Sequence, residues 1–423
     1  MTSTLDQSLA AMGYAKAIVV FKKSVSATLK SPAVPDDLAR HFVIPDTMLE
    51  SDLARAAASH SSGEAVATAV GPAVRIYPRL GLALGYVDRQ GAKELRSDSR
   101  VKKLVEAPQI SLIRPVIMED AKPNSKPTSK PTWGIERLGV PELWSRGITG
   151  KGVIVGHLDT GVDGSHSALK DAIEAFAEFD LRGDLVENAE VRDSDDHGTH
   201  TAGTIVGRKT ERGSFGVAPG AKLASAMVIE GGDVVDRIVG GMEWALGYGV
   251  RILSMSLGLR GYTPAFQAIV DALRANDVLP VIAVGNEYAN SSRSPGNYTN
   301  VLSVGASNER DEVADFSSSQ RFNRTDDPIV PDLVAPGVNV LSCVPNGGYM
   351  TMDGSSMATP HVAGLAALLL QAMPSATSND LEHAILASCG RPSSMPIPRG
   401  NRGIPNAPKA LSILAGTNIQ PTV

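Results

Sequence analysis

From Trp133 onward the chain alternates short apolar runs with longer helix-like stretches, and this alternation constrains the fold more than any other feature. VIVGHLD (153–159), AKLASAMVI (221–229), RILSMSL (251–257), VLPVIAVG (278–285), VLSVGA (301–306) and DLVAPGVNVLSC (332–343) read as strands. DVVDRIVGGMEWALGYG (233–249) and TPAFQAIVDALRAND (263–277) read as helices between them. Strands that are apolar throughout have no face for water, so they predict a parallel sheet covered by helices on both faces. An α/β sheet of this kind places its chemistry beyond the carboxyl ends of its strands.

The first 115 residues read differently. Strand-like pieces at 15–25, 80–87 and 100–113 surround a polar helical piece, DRQGAKELRSD (88–98), with room for one or two helices over 36–60. This pattern predicts a small α+β domain of the ferredoxin-like type over 1–115. Residues 116–132 hold the Pro-, Lys- and Ser-rich run EDAKPNSKPTSKPT and read as a solvated, extended linker. The main domain is then expected over 133–416, with a tail at 417–423.

The aromatic share is only 4% against 41 glycines, so packing must rely on small residues and tight turns. A net charge of −5 provides no footprint for nucleic acid or an anionic membrane. No run approaches the roughly 18 apolar residues that span a bilayer. The amino-terminal stretch lacks the charged start and apolar core of a signal peptide, which predicts a cytoplasmic protein and leaves leaderless export open. The two cysteines, Cys343 and Cys389, supply neither a disulfide framework nor a soft-metal cluster.

Three polar islands fall where the sheet rule places chemistry. Asp159 ends the strand VIVGHLD, His197 opens HGTHTAGT, and Ser355 and Ser356 precede a long small-and-apolar run in GSSMATPHVAG. Asp159 alone is better explained as a cap, and His197 alone as a satisfied structural group. Together they form a Ser-His-Asp set in the chain order Asp, His, Ser, which is the subtilisin order.

The segments DTGVDGSH, HGTHTAGT, GVAPGA, SMSLG, VIAVGN and GSSMATPHVAG make residues 133–416 similar to the subtilisin-like serine proteases, in that family's order. The resemblance implies that Ser356 is the nucleophile, His197 the general base and acid, and Asp159 the group that orients the imidazole. It implies that the Asn286 side chain and the Ser356 amide hold the oxyanion. Ser256, Leu257 and Gly258 would pair with an extended polypeptide substrate, and Ala283, Val284 and Gly285 would line the primary side-chain pocket. Ser355 is expected to keep the turn small and His200 to pack in the core. Arg293 is placed near the pocket rim, as a solvated surface residue or as the source of an acidic preference.

The amino-terminal region resembles the inhibitory prodomains of the same family, which implies an intramolecular inhibitor and a zymogen cut within 115–132. No cofactor is required. The family's strong calcium site is expected to be absent, because Ala168 replaces an acidic ligand and Arg208, Lys209 and Arg212 bring positive charge to the second ligand segment. Weaker calcium sites elsewhere stay open. Two other functions fit the same residues, a catalytically silent binding scaffold and a transpeptidase or macrocyclase. The complete Asp159, His197, Asn286 and Ser356 set favours an endopeptidase.

Overall fold

Leu5 and Leu9, four residues apart, turn one face of the first helix inward, and Ala15, Ala17 and Val19 do the same at alternate positions of the first strand. A computed structural model of the chain describes residues 3–22, 34–45, 73–108, 111–120, 128–180, 182–229 and 234–417. The chain divides into two compact units, 1–108 and 109–423.

In the first unit, helix α1 (Thr4–Met12) is capped by the Ser3 side chain and ends at Gly13, whose φ of 84° suits glycine. Strands β1 (Tyr14–Phe21), β2 (Val74–Tyr77), β3 (Leu82–Asp88) and β4 (Val101–Glu106) form one antiparallel sheet in the order β2-β3-β1-β4. Helix α2 (Arg89–Ser97) starts where the Asp88 carboxylate accepts the Gly91 amide, and it buries Ala92 and Leu95. Of the helices expected over 36–60, Asp36–Ala39 forms a single turn, and residues 46–72 lie outside the described part.

The second unit begins with two short strands, β5 (Ser111–Leu112) and β6 (Ile117–Asp120). Of the stretch read as a linker, 121–127 lies outside the described residues, while 117–120 and Thr128–Pro131 at its two ends are strands. The main sheet is built from β7 (Ile154–Asp159), β8 (Ile173–Glu178), β9 (Lys222–Met227), β10 (Ile252–Met255), β12 (Leu279–Ala283), β14 (Leu302–Ser307) and β15 (Leu333–Pro336). Between them β11 (Leu257–Arg260) and β13 (Arg293–Ser294) stand outside the sheet and pair with each other, and β11 also pairs with β5. The seven strands are parallel in the order β15-β14-β12-β10-β7-β9-β8, with helices on both faces, as the alternation predicts.

Helices α3 (His197–Val206), α4 (Val234–Leu246), α5 (Gln267–Ala275), α6 (Ser355–Ala372), α7 (Ser378–Ser388) and α8 (Ala407–Thr417) are the longer helices among the described residues of the unit. Helix α6 is buried from Ser355 through Leu370 and packs on β10, β12, β14 and β15, so it is a central mount. The single strand expected over 332–343 is two, β15 and β16 (Val340–Val344). The chain turns between them at Gly337 and at Asn339, whose φ is 52°. β16 pairs with β17 (Gly348–Asp353), which pairs with β6. Among the described residues no helix is long and apolar enough to cross a membrane.

Candidate active site

The strands β12, β10 and β7 are neighbours in the sheet, and their carboxyl ends present Asn286, Ser256 and Asp159 along one rim. His197 and Ser356 reach that rim from the first turns of α3 and α6. Glycines permit the close approach. A Cβ on Gly198 would lie 2.2 Å from the Gly161 carbonyl, so only glycine lets α3 start against the loop that leaves β7. That contact brings His197 Nδ1 to 2.6 Å from Asp159 Oδ1.

Both groups are buried, and their charges must be read together. Burial opposes an imidazolium at His197, but the Asp159 carboxylate and its hydrogen bond outweigh burial, with help from Asp193 and Asp195. The His197 pKa is therefore raised above its ordinary 6.5. Burial likewise works against the Asp159 carboxylate, yet the charge and hydrogen bond of His197 hold its pKa below the usual range. Asp159 also accepts the Thr160 amide (2.8 Å) and the Thr201 hydroxyl (3.2 Å). A carboxylate only accepts, so the neutral ring carries its proton on Nδ1 and presents a bare Nε2. That Nε2 is buried and has no hydrogen-bond partner.

The serine is held by an irregular helix start. Pro360 lies within α6 and cannot donate to the Ser356 carbonyl, as a residue four places on normally would. The Ser256 hydroxyl takes that bond instead, at 3.3 Å, and ties the β10 exit to the turn that carries Ser356. The Thr359 hydroxyl donates to the Ser355 carbonyl at 2.9 Å in the same turn.

A stretch of the chain's own backbone lies across these groups. Ser111 and Leu112 of β5 pair antiparallel with Gly258 and Leu257 of β11, and the Ile113 amide donates to Ser256 O at 3.0 Å. Ile113 is fully buried, whereas the Arg114 side chain is exposed. The Ser356 hydroxyl donates to the Ile113 carbonyl at 2.6 Å, and Asn286 Nδ2 donates to the Arg114 carbonyl at 2.9 Å. The hydroxyl expected against His197 thus faces a peptide carbonyl, because a carbonyl oxygen so close competes for its proton. A buried serine against a peptide carbonyl, in a site whose histidine keeps an unpartnered Nε2, is an arrangement suited to acyl transfer.

The profile of the subtilase family matches residues 150–407, more than half of the chain. The chain belongs to the subtilase family, the subtilisin-like serine proteases. It is 38% identical over 270 residues to the M-protease of Shouchella clausii, an alignment covering 63% of this subtilase and 66% of that relative, just under two thirds of its length. Subtilisin BL of Lederbergia lenta is 38% identical over 245 residues, covering 57% and 85% of the two chains. Subtilisin E of Bacillus subtilis is 33% identical over 302 residues, covering 70% and 72%.

Other expected residues of this subtilase fall in several places. His200 is buried, donates from Nε2 toward the Val340 and Met350 carbonyls, and is pushed by burial down to about 3. Ser355 does more than keep a turn small: its amide and hydroxyl both donate to Asn286 Oδ1 at 2.9 Å, which points Nδ2 into the cleft. Ala283, Val284 and Gly285 follow one another along the exit of β12, and the Val284 carbonyl accepts the Arg293 amide at 3.0 Å.

Arg293 is neither solvated nor a free charge. It is 7% exposed, its Nε lies 2.9 Å from Glu287 Oε1, and its Nη1 donates to the Gly258 carbonyl at 3.0 Å. Its stem fills the space beside Gly258 and Gly285, where added Cβ atoms would meet it at 3.0 and 3.2 Å. With its charge matched by Glu287, Arg293 gives no basis for the acidic preference.

In the region of the expected calcium loss, the Arg208 guanidinium reaches a ring of backbone carbonyls. It donates to Val206 (2.8 Å), Ala221 (3.0 Å) and Asp171 (3.3 Å). A guanidinium among those oxygens does not fit a bound calcium ion.

Sequence reading missed Asp193. Its carboxylate accepts the Thr160 hydroxyl (2.7 Å) and both the amide and hydroxyl of Thr199 (2.6 Å each), lacing the β7 loop to α3. The acidic run DSDD just before HGTH was the available signal. It missed His157 too, two residues before Asp159 on β7, which bonds to Ser225 and Thr201 at 2.9 Å and is held neutral by burial that lowers its pKa to about 4.

Proposed function

We propose that this subtilase is an endopeptidase that acts through an acyl-enzyme on Ser356 and is made as a self-inhibited zymogen. The carrying observation is the Ile113 carbonyl at the Ser356 hydroxyl, in a segment that already pairs as a strand with Leu257 and Gly258. The hydroxyl proton passes to His197 Nε2 as Oγ bonds to the carbonyl carbon. Asp159 steadies the imidazolium, and the oxyanion is held by Asn286 Nδ2 and the Ser356 amide in the first turn of α6. The carbon–nitrogen bond then breaks as His197 returns the proton to the leaving amine. Water reverses the sequence and frees Ser356. In the intact chain, residues 111–116 occupy the substrate path, and the N-terminal unit acts as the intramolecular inhibitor. After self-cleavage a fluorophosphonate probe should label Ser356 and casein should be hydrolysed, with both lost in His197→Ala. Neither labelling nor casein hydrolysis, even after the N-terminal unit is removed, would leave a binding scaffold as the better reading.

The electrostatics fix the direction of the pH response. His197 must be neutral to accept the serine proton, and its pKa is raised, so activity should climb with pH through a midpoint above 6.5. Asp195→Asn removes one charge that favours the imidazolium, so the midpoint should move down. A midpoint below 6.5, or one that rises in Asp195→Asn, would show that another group controls the limb.

We also propose that Arg208 replaces a structural cation. Arg208→Ala leaves the carbonyls of Val206, Ala221 and Asp171 without their donor and should lower stability by about 2 kcal/mol. Thermal melting of the parent should be unchanged by chelator. A large chelator-dependent fall would count against the replacement.

A further inference from the structure

Two spacings bring a second histidine up to the Asp159–His197 pair. His157 and Asp159 are two apart on β7, so both side chains leave the same face of the sheet. His197 and Thr201 are four apart on α3, so both lie on one face of that helix. Where the two faces meet, His197 Nδ1 reaches Asp159 Oδ1 and the Thr201 hydroxyl reaches Asp159 Oδ2, at 2.6 and 3.2 Å. The same hydroxyl lies 2.9 Å from His157 Nε2. His157 Nδ1 in turn lies 2.9 Å from the hydroxyl of Ser225, the residue opposite it on β9. All five residues are at most 2% exposed.

Asp159 sets the direction of the protons in this chain of groups. A carboxylate accepts and cannot donate, so a hydroxyl turned the other way would set a lone pair against Oδ2. Thr201 therefore donates to the charged Oδ2 in preference to the neutral Gly198 carbonyl at 3.1 Å. With its one proton committed, the Thr201 oxygen accepts from His157 Nε2, which leaves Nδ1 to accept the Ser225 hydroxyl. Burial lowers the His157 pKa to about 4, so the ring is neutral and has this single proton to give. His157 Nε2 is 3.8 Å from Asp159 Oδ2, too far for a direct bond, so its influence passes through Thr201. Packing alone would be better served here by apolar side chains, which bring no buried polar atom to satisfy.

We propose that Thr201 and His157 are positioning residues for His197, acting through the second oxygen of Asp159. The Thr160 amide shares Oδ1 with His197, while Thr201 holds Oδ2 and so fixes the plane of the carboxylate. The relay Ser225–His157–Thr201 also draws carboxylate charge toward Oδ2. Less charge is then left on Oδ1 to stabilise the imidazolium, and His197 gives up its proton more readily. The imidazole is faced by Asp159 from β7 and by Asp193 and Asp195 from the loop before α3. His157 on β7 and His200 on α3 are the neutral rings beside it. The catalytic meaning of the relay rests on the endopeptidase reading, but the relay is testable without turnover.

The test uses the full chain carrying Ser356→Ala and isotope-labelled histidine. The imidazole nitrogen resonances of His197, identified by their loss in His197→Gln, are followed by NMR through a pH series. Thr201→Val keeps the shape and removes the hydroxyl, so it should raise the His197 midpoint by about 1, the size of one net hydrogen bond. Thr201→Ser should hold the midpoint at the parent's value. His157→Phe should move it the same way by less, and should add nothing once Thr201 is replaced by valine. An unchanged circular dichroism spectrum and a cooperative melt check each fold, and if His157→Phe does not fold, the two Thr201 variants decide alone. A midpoint that stays or falls in folded Thr201→Val, or a His157→Phe shift that persists beside Thr201→Val, would overturn the proposal. Fluorophosphonate labelling of the self-cleaved Ser356 parent reports on the endopeptidase reading separately.

Discussion

Incubated at neutral pH, the full-length chain should yield a fragment that begins at Arg114, and the Ser356→Ala chain should remain whole. The register singles out this bond. Ile113 gives its amide to Ser256, follows two residues paired with β11, and is buried, while Arg114 points to solvent and meets Asp195 at 2.8 Å. The following bond, Arg114–Pro115, is the competitor, because Asn286 rests on the Arg114 carbonyl. In the present geometry neither carbonyl receives both the serine and the asparagine. The segment is therefore parked, and the first cut should be slow relative to hydrolysis of an unstructured substrate. Loss of the nucleophile should reduce cutting roughly a million-fold, the size of loss known for subtilisin, which makes it undetectable. Intact-mass measurement and amino-terminal sequencing decide the matter. A fragment starting at Pro115 would move the scissile bond by one residue, and cutting confined to 121–132 would mean that 111–116 inhibits without being cut.

What could be read from the sequence followed from how local each signal was. Asp159, His197 and Asn286 sit at or beside the ends of apolar strands and at a helix start, and a parallel sheet gathers such ends without any knowledge of distant contacts. β8, by contrast, was not foreseen. Its sequence, IEAFAE, carries two glutamates, because it lies at the sheet edge and is only partly buried. Arg293 was misplaced because its burial depends on Glu287 and on space left by Gly258 and Gly285, which are far from it in the chain or carry no side chain to announce the gap. The strand 117–120 was hidden for a similar reason. It pairs with residues more than 200 positions away, through backbone groups that every sequence possesses.

Replacing Asn286 by alanine should lower kcat about 10²- to 10³-fold with little change in KM, the loss known for an oxyanion-hole asparagine of a subtilisin. The effect should fall on kcat because the Nδ2 donor matters most when charge develops on the carbonyl oxygen. This donor is aimed from the other end of the same amide. Oδ1 accepts the Ser355 amide and hydroxyl, and the Ser355 oxygen in turn accepts the Gly285 amide at 3.3 Å. Ser355→Ala removes one of the two bonds on Oδ1 and leaves the amide held by the backbone donor alone, so kcat should fall by roughly tenfold. Ser355→Thr, which keeps a hydroxyl, should restore most of it. The double variant separates positioning from simple loss of packing. If Ser355 acts through Asn286, adding Ser355→Ala to Asn286→Ala should cost almost nothing more, because there is no amide left to aim. If the two losses multiply instead, Ser355 serves the turn itself, and the small-residue role expected from its sequence position is the whole of its contribution.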